Sequence, residues 1–121
     1  MPEYNITFDD DFYRRIPKNN PNYWKEINGL RVPSSAAFKP SSRDKDNGLS
    51  VNIASLTTPF NLVEDPLRFD IAEFPASCPL NEGCECRHDP LPDNNSHAII
   101  IGITTSIAKK MSNAMTHVFQ F

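Results

Sequence analysis

The feature that most constrains the fold is the run Ala98–Ile101, the longest uninterrupted apolar stretch of the chain. Apolar side chains at successive positions point to both faces of a strand, so the run is typical of a strand in the interior of a sheet. His97 precedes the run at the end of a polar loop, and the apolar pattern extends to Ile103. We therefore predict a strand over residues 97–103, covered on both faces.

After this strand the apolar spacing changes to that of a helix. From Thr104 onward, apolar residues recur at intervals of four, four and three, at Ile107, Met111, Met115 and Val118. This spacing places them on one face of a helix, and Thr105 or Ser106 is expected to cap its start. The sequence therefore predicts a C-terminal helix that packs through this face.

The rest of the chain reads as short elements between turns. Eleven prolines against four glycines favour fixed turns and irregular backbone. A Thr cap before Pro59 predicts a short helix up to Val63, and Asn28-Gly29 predicts a tight turn that leads into a strand. A charged surface loop is expected over residues 39–48. A short strand or a turn is expected over residues 13–17, strands over residues 30–32, 49–53 and 67–74, and a loop over residues 75–95.

Together these elements predict a small α+β fold. It has about five short, mainly antiparallel strands with one short and one C-terminal helix, and it is rich in loops. A chain of 121 residues buries about two-thirds of its unfolded surface, and eight Phe, three Tyr and one Trp supply apolar area for a core. We expect a single domain over residues 1–121, with residues 1–12 forming either a loose arm or a short helix.

Charge and composition exclude several function classes. A net charge of -3 argues against a general nucleic-acid-binding surface, although a local basic patch stays open. The N-terminal residues carry no apolar core of a secretory signal, and no window approaches the roughly 18 apolar residues of a membrane span. Three cysteines, an odd number, favour a reducing compartment. We therefore expect a cytoplasmic protein that does not associate with a membrane.

The cysteines offer one alternative with chemistry of its own. Cys78, Cys84, Cys86 and His88 follow the spacing C-x5-C-x-C-x-H, and four such ligands could hold zinc tetrahedrally. The spacing matches none of the usual zinc knuckles, so free thiols, or a Cys78–Cys86 or Cys78–Cys84 pair formed on oxidation, are favoured. We accordingly expect no metal or cofactor and keep zinc as an alternative.

His97 is the strongest candidate for a catalytic residue because it lies where a loop enters a buried strand. A histidine acts as a base when a carboxylate orients it and a hydroxyl lies beside it, and a guanidinium would bind a phosphate ester or nucleotide. The candidates for these roles are Asp89 or Asp93, then Ser34, Ser35 or Tyr13, and Arg14 or Arg15. Alternatively, His97 bonds a backbone carbonyl and closes its loop. The sequence contains no standard catalytic motif that decides between the two.

Four blocks of sequence carry a resemblance. They are Tyr13–Pro17, Pro33–Phe38, Gly48–Val51 and Asp89–Gly102, and together the chain resembles a group of small bacterial single-domain proteins for which no activity is established. The resemblance implies a bacterial, cytosolic origin and a fold shared with that group. It does not include the cysteine loop, the segment that holds Cys78, Cys84 and Cys86. It implies that the residues to test first are Arg14, Ser34, Ser35, Asp89 and His97.

Three functions follow from these observations. The first is a protein-interaction module, an accessory subunit of a bacterial multi-protein system for defence or stress, with a larger protein as partner. The second is a small nucleotide- or nucleic-acid-directed enzyme that uses His97 with Ser34 or Ser35 and Arg14 or Arg15. The third is a zinc-stabilised binding module. Small size and the lack of a catalytic motif favour the first.

Overall fold

The computed structural model describes residues 4–40 and 48–121 and is built around one antiparallel sheet. The strands in these residues are β1 (Asp11–Pro17), β2 (Trp24–Ile27), β3 (Leu30–Pro33), β4 (Leu49–Ile53), β5 (Phe69–Pro75), β6 (Glu85–His88), β7 (His97–Ile101) and β8 (His117–Phe119). Six of them form the sheet in the order β6-β7-β4-β1-β5-β8, and β2 and β3 form a separate hairpin. The sheet thus brings together strands that lie far apart in the sequence.

Three short α-helices accompany the sheet in the described residues, namely α1 (Pro59–Val63), α2 (Ser77–Asn81) and α3 (Thr105–Ala114). A 3-10 turn over Ser35–Phe38 packs against α3. None of the helices in the described part of the chain has the length and apolar character needed to cross a membrane. The fold is therefore of the α+β class that the sequence predicts.

The two faces of the sheet carry separate apolar clusters. The larger cluster holds Phe12, Phe38, Phe74, Ile100 and Met111, all fully buried. The smaller cluster lies beneath α1 and is formed by Tyr13, Leu62, Val63 and Ile71. Successive residues of a strand point to opposite faces, so β1 sends Phe12 into the first cluster and Tyr13 into the second.

Several predicted elements are confirmed. β4 spans residues 49–53 as predicted, and α1 begins at Pro59, with the Thr58 hydroxyl accepting from the Asn61 amide at 3.1 Å. Asn28 and Gly29 both have positive φ, 53° and 80°, as a two-residue hairpin turn requires. β7 is paired on both sides and fully buried over Ala98–Ile100, so its interior position is confirmed.

Other predicted elements are wrong in number or extent. The described residues contain eight strands rather than five, because β2, β6 and β8 are additional. Of these, β6 lies with α2 in the predicted loop over residues 75–95. β7 ends at Ile101, before Gly102 adopts a φ of 100°. α3 ends at Ala114, and its N-cap is Thr104 rather than Thr105 or Ser106. Val118, predicted to lie on the apolar face of the helix, lies instead in β8, where it pairs with Ala72 of β5.

The N-terminal segment is tied to the domain. The Tyr4 amide donates to Nδ1 of His88 at 2.9 Å, and the Tyr4 hydroxyl lies 2.6 Å from a carboxylate oxygen of Asp10. Residues 4–10 are therefore neither a helix nor a loose arm, although Phe8 is exposed. Most of the charged loop predicted for residues 39–48 lies outside the described residues.

Candidate functional site

Polar side chains gather on one face of the sheet where β7, β4 and β1 lie side by side. Asn52 pairs with His97 across β4 and β7, and with Tyr13 across β4 and β1. Strand alternation places Ser50 on the same face as Asn52, opposite the buried Val51. The face that carries His97 therefore changes from apolar beneath α1 to polar near β7.

These side chains line a cleft of about 420 Å³, here called the His97 cleft. Its walls come from the three strands, from α1 and the turn after it, and from the loop that leads into β7. The described lining consists of Arg14, Arg15, Pro17, Tyr23, Ser50, Asn52, Leu62, Glu64, Phe69, Leu91, Asp93, Asn94 and His97. The cleft thus has a histidine, a serine and two arginines among its lining residues.

The hydrogen bonds of His97 fix which ring nitrogen carries the proton. Nδ1 lies 2.9 Å from the backbone carbonyl oxygen of Asp89 and 3.2 Å from its Oδ2. A carbonyl oxygen only accepts, so Nδ1 is the donor, and in the neutral ring Nε2 is an acceptor. Nε2 lies 3.1 Å from the Ser50 hydroxyl. Ser50 therefore donates to His97, as in a serine–base pair.

Ser50, His97 and Asp89 form a chain of contacts whose Ser50 end lies at the cleft. The side chains of His97 and Asp89 are 15% and 18% exposed, and Ser50 is half-buried. Ser50 and His97 both line the cleft, so a bound molecule would meet the hydroxyl directly. In this order the hydroxyl can act as a nucleophile, the imidazole as its base and the carboxylate as the group that orients the imidazole.

A polar network holds the loop that supplies Asp89. Asn94 donates through Nδ2 to Oδ1 of Asn52 at 2.8 Å, and the buried Ser96 hydroxyl lies 3.0 Å from the same oxygen. The Asp89 amide also donates to the His97 carbonyl at 2.9 Å, which closes the loop on itself. The position of Asp89 beside the imidazole is therefore set by bonds to β4 and to β7.

The two arginines have different environments. Arg14 donates from Nε to the Ala37 carbonyl at 3.0 Å and from Nη1 to the Ser50 carbonyl at 2.8 Å, which links β1 and β4 to the 3-10 turn. Arg15 lies on the opposite side of β1, 3.3 Å from Oε2 of Glu64, with its guanidinium 4.6 Å from the centre of the Phe69 ring. Arg14 thus supports the backbone of Ser50, and Arg15 presents charge to the cleft.

The structure brings His97, Asp89, Arg14 and Arg15 together but places the other predicted hydroxyls elsewhere. Ser34 donates to the Asn22 carbonyl at 2.7 Å, and Ser35 begins the 3-10 turn. The described lining of the His97 cleft includes neither serine, and the Tyr13 ring packs on Phe119 in the smaller apolar cluster. Ser50 takes the place that the sequence analysis gave to Ser34 or Ser35.

The sequence pattern around Ser50 places this residue on a strand face but does not assign it to the site. The alternation in Leu49–Ile53 already placed Ser50 and Asn52 on the polar face of a strand. Only the pairing of β4 with β7 brings that face to His97, and 47 positions separate the two residues. The hydrophobic pattern of each strand does not specify which strand becomes its neighbour.

The cysteine loop does not converge on a metal. His88 accepts from the Tyr4 amide through Nδ1 and therefore donates from Nε2 to the Asn95 carbonyl, at 2.7 Å, so both ring nitrogens are engaged. Within residues 4–40 and 48–121 there is no cluster of three or more potential metal-ligating side chains. Burial raises the pKa of Cys86 to about 12, and burial also raises the pKa of Cys78 and Cys84. All three cysteines are free thiols.

Comparison of the chain with protein-family models, with curated proteins and with solved structures finds no match. The resemblance to small bacterial proteins therefore stays a prediction. Any function has to be argued from the geometry of the His97 cleft and from the surface of the domain.

Proposed function

We propose that the protein is a small hydrolase that cleaves ester substrates in the His97 cleft with Ser50 as nucleophile. The observation that carries the proposal is the hydrogen bond from the Ser50 hydroxyl to Nε2 of His97 at 3.1 Å. It is supported by the fixed tautomer of His97, because a base must present an unprotonated nitrogen to the hydroxyl it activates.

The reaction follows from the positions of these three residues. Oγ of Ser50 attacks the ester carbonyl while Nε2 of His97 takes the hydroxyl proton, and the imidazolium that forms is stabilised by the Asp89 carboxylate. Collapse of the tetrahedral intermediate breaks the bond to the alcohol, which leaves with the proton from Nε2. Water then attacks the acyl group on Ser50 with His97 again as base. The bond between the acyl carbon and Oγ breaks, Oγ takes the proton from Nε2, and the products are one acid and one alcohol.

The strand position of Ser50 is suited to this role. Its backbone is held by β7 on one side, and the Arg14 guanidinium donates to its carbonyl at 2.8 Å. A rigid strand keeps the hydroxyl within reach of Nε2, and a positioned general base contributes about 10²- to 10⁴-fold to a reaction rate. The proposal requires that this contribution be lost when either residue is replaced.

The test is covalent labelling with a fluorophosphonate, which reacts with activated serine hydroxyls, followed by peptide mass spectrometry. We expect label on Ser50 in the wild-type chain, a loss of at least 100-fold in labelling rate with His97→Gln, and no label at this position with Ser50→Ala. Ser35→Ala is the matched control, because it removes a hydroxyl that the sequence analysis also favoured. Thermal melts of each variant separate loss of chemistry from loss of folding.

The outcomes are distinct. Label on Ser50 that depends on His97, together with turnover of a simple ester such as 4-nitrophenyl butyrate, supports the hydrolase. Folded protein with label spread over several serines, or with Ser50 no more reactive than Ser35, overturns the proposal and leaves the hydrogen bond as a structural one.

We propose a protein-interaction module as the second candidate, supported by one feature of the surface. Phe60 is 81% exposed and Phe121 is 39% exposed, and their rings meet edge to face with centroids 6.2 Å apart. Aromatic residues of this kind are enriched at the centres of protein interfaces. In this proposal the chain is an accessory subunit in the bacterial cytoplasm, bound to a larger protein of a defence or stress system.

Affinity purification of the tagged chain from its host, followed by native mass spectrometry, tests the second candidate. A stoichiometric protein partner that is lost with Phe60→Ser and retained with Ser50→Ala supports the module. Leu67→Ser is the control, because this leucine is 84% exposed and its replacement removes a similar apolar area at a different place. A bare monomer, or a partner that both surface variants retain, contradicts an interface at the Phe60–Phe121 pair.

A further inference from the structure

Arg15 lies in the lining of the same cleft as the proposed nucleophile. Tyr13 pairs with Asn52 across β1 and β4, and Arg15 and Ser50 each lie two residues further along these antiparallel strands. The paired part of β1 and β4 ends at Tyr13 and Asn52, and strand alternation puts the side chains of Arg15 and Ser50 on the same face of the sheet. Both line the His97 cleft. A group bound by Arg15 would therefore lie in the cleft that Ser50 faces.

The Arg15 guanidinium is supported by an aromatic ring. It lies 4.6 Å from the centre of Phe69, and the Arg68 guanidinium lies 5.3 Å from the same centre. A second cavity of about 450 Å³ shares Pro17 and Phe69 with the His97 cleft and is lined by Arg68 and by Asn19 and Asn20. The guanidinium groups of Arg15 and Arg68 therefore both lie at Phe69, where the two cavities meet. The carboxylates of Glu64 and Asp93 also line the His97 cleft.

The carboxylate of Glu64 forms an exposed ion pair with the guanidinium of Arg15. Their separation is 3.3 Å, and the Glu64 side chain is 75% exposed. An ion pair between exposed side chains contributes little to stability, so another carboxylate or a phosphate can replace Glu64 on Arg15 at little cost. Glu64 thus shows where an oxyanion meets Arg15.

The backbone at Glu64 is strained, which is unusual for a residue whose surface pair contributes so little. Its φ and ψ are 56° and -58°, and the Asp65 amide donates to the Val63 carbonyl at 2.5 Å across it, as in a γ-turn. Such a conformation is sterically unfavourable in a residue other than glycine, and strained residues cluster at ligand sites. The turn holds the Glu64 carboxylate at the edge of the His97 cleft.

From these contacts we propose that Arg15, supported by Phe69, is an anion subsite, and that the substrate is an ester that also carries a carboxylate or phosphate group. The substrate anion takes the place of the Glu64 carboxylate on the guanidinium, which can bind either group through two donors. The reaction of this substrate rests on the proposed hydrolase. The binding of its anionic group does not.

The first measurement is anion binding to the Ser50→Ala variant, which cannot form the acyl intermediate. Succinate and inorganic phosphate are titrated separately and followed by amide chemical shifts, so that the two sources of negative charge are distinguished. We expect saturable binding of at least one of them, weakened at least tenfold by adding Arg15→Gln and strengthened by adding Glu64→Gln. Arg87→Gln is the control, because it removes the same charge from β6, outside the described lining of both cavities.

The second measurement compares two esters of similar size in the wild-type chain, neutral 4-nitrophenyl butyrate and anionic 4-nitrophenyl hemisuccinate. We expect kcat/KM to favour the anionic ester, and Glu64→Gln to increase that preference. Arg15-dependent binding without turnover of either ester supports the subsite and contradicts the hydrolase. Turnover with no preference and no Arg15-dependent binding overturns the subsite and leaves the hydrolase standing. Equal weakening by Arg87→Gln also overturns it, because the effect is then one of overall charge.

Discussion

Nδ1 of His97 meets Asp89 twice, at the backbone carbonyl oxygen at 2.9 Å and at the carboxylate oxygen Oδ2 at 3.2 Å. The carbonyl alone is enough to keep the proton on Nδ1, since it has no hydrogen to donate. The carboxylate adds negative charge beside a ring that becomes positive when it accepts the Ser50 proton. Orientation and charge stabilisation are thus supplied by two different groups of one residue.

This separation predicts a moderate effect of Asp89→Asn. Where a carboxylate alone fixes the histidine tautomer, the same change lowers turnover by about 10⁴-fold. Here the carbonyl still fixes the tautomer, so we expect kcat to fall by roughly 10- to 100-fold, the share of charge stabilisation, while thermal stability stays close to that of the wild type. Steady-state kinetics on 4-nitrophenyl butyrate measure it. A loss as large as that of His97→Gln would mean that the carbonyl contact does not hold the ring.

Glu64→Gly tests the strained turn. Glycine adopts positive φ without steric cost, so the change relieves strain of about 1–3 kcal/mol, while the extra freedom of glycine in the unfolded chain costs roughly 0.5–1 kcal/mol. These two effects leave a gain of roughly 0–2.5 kcal/mol, and the lost pair with Arg15 removes up to about 1 kcal/mol of it. We therefore expect the free energy of unfolding to stay within about 1 kcal/mol of the wild type or to rise by up to about 2 kcal/mol, as measured by urea denaturation. Glu64→Ala also removes the ion pair with Arg15 but keeps the strain, so it serves as the control. Equal stability of the two variants would contradict a strained backbone at this position.

The sequence predicts the strands of the site better than it predicts the site. The apolar run before Gly102 and the alternation in Leu49–Ile53 depend on local side-chain patterns, and both strands lie where these patterns indicate. The contact between Ser50 and His97 depends on which strands become neighbours, and that is a property of the whole packed chain. The same limit explains Val118, whose apolar character suits a helix face as well as the strand β8 that it forms. Short elements with few residues carry too little periodicity to separate these outcomes.

Two neighbouring isoleucines of β7 should differ in their contribution to stability. Ile100 is fully buried between β4 and β6 in the larger apolar cluster, whereas Ile101 is only half-buried. Ile100→Ala is expected to lower the free energy of unfolding by about 2–5 kcal/mol, and Ile101→Ala by less than that, because part of its side chain already contacts solvent. Urea denaturation of both variants measures the difference. A larger loss at Ile101 would contradict the burial of β7.

Ionisation of Glu73 on β5 should make the protein less stable as the pH rises from acidic to neutral values. Burial is the main reason why the pKa of Glu73 is raised above its ordinary value, the negative charge of Asp11 raises it further, and His117 opposes the shift. A raised pKa means that the folded state holds the proton more tightly than the unfolded state. The favourable contribution of the protonated carboxyl is therefore complete below its ordinary pKa of 4.5 and is lost as the pH rises through the raised value.

Glu73→Gln removes this titration and keeps the shape of the side chain. We expect the variant to gain stability over the wild type between about pH 4 and pH 7, because the amide avoids the burial of a charged carboxylate and its repulsion from Asp11. The gain should be less than about 1 kcal/mol, since solvent near the surface weakens both effects. Urea denaturation of the wild type and of Glu73→Gln, at both pH values, gives the difference in free energy of unfolding between them at each pH. Glu85→Gln is the control, since this exposed carboxylate pairs with Arg87 at 2.7 Å, and its loss should give no such gain at neutral pH. A constant difference between wild type and Glu73→Gln across the range would show that the Glu73 carboxyl keeps its ordinary pKa in the folded chain.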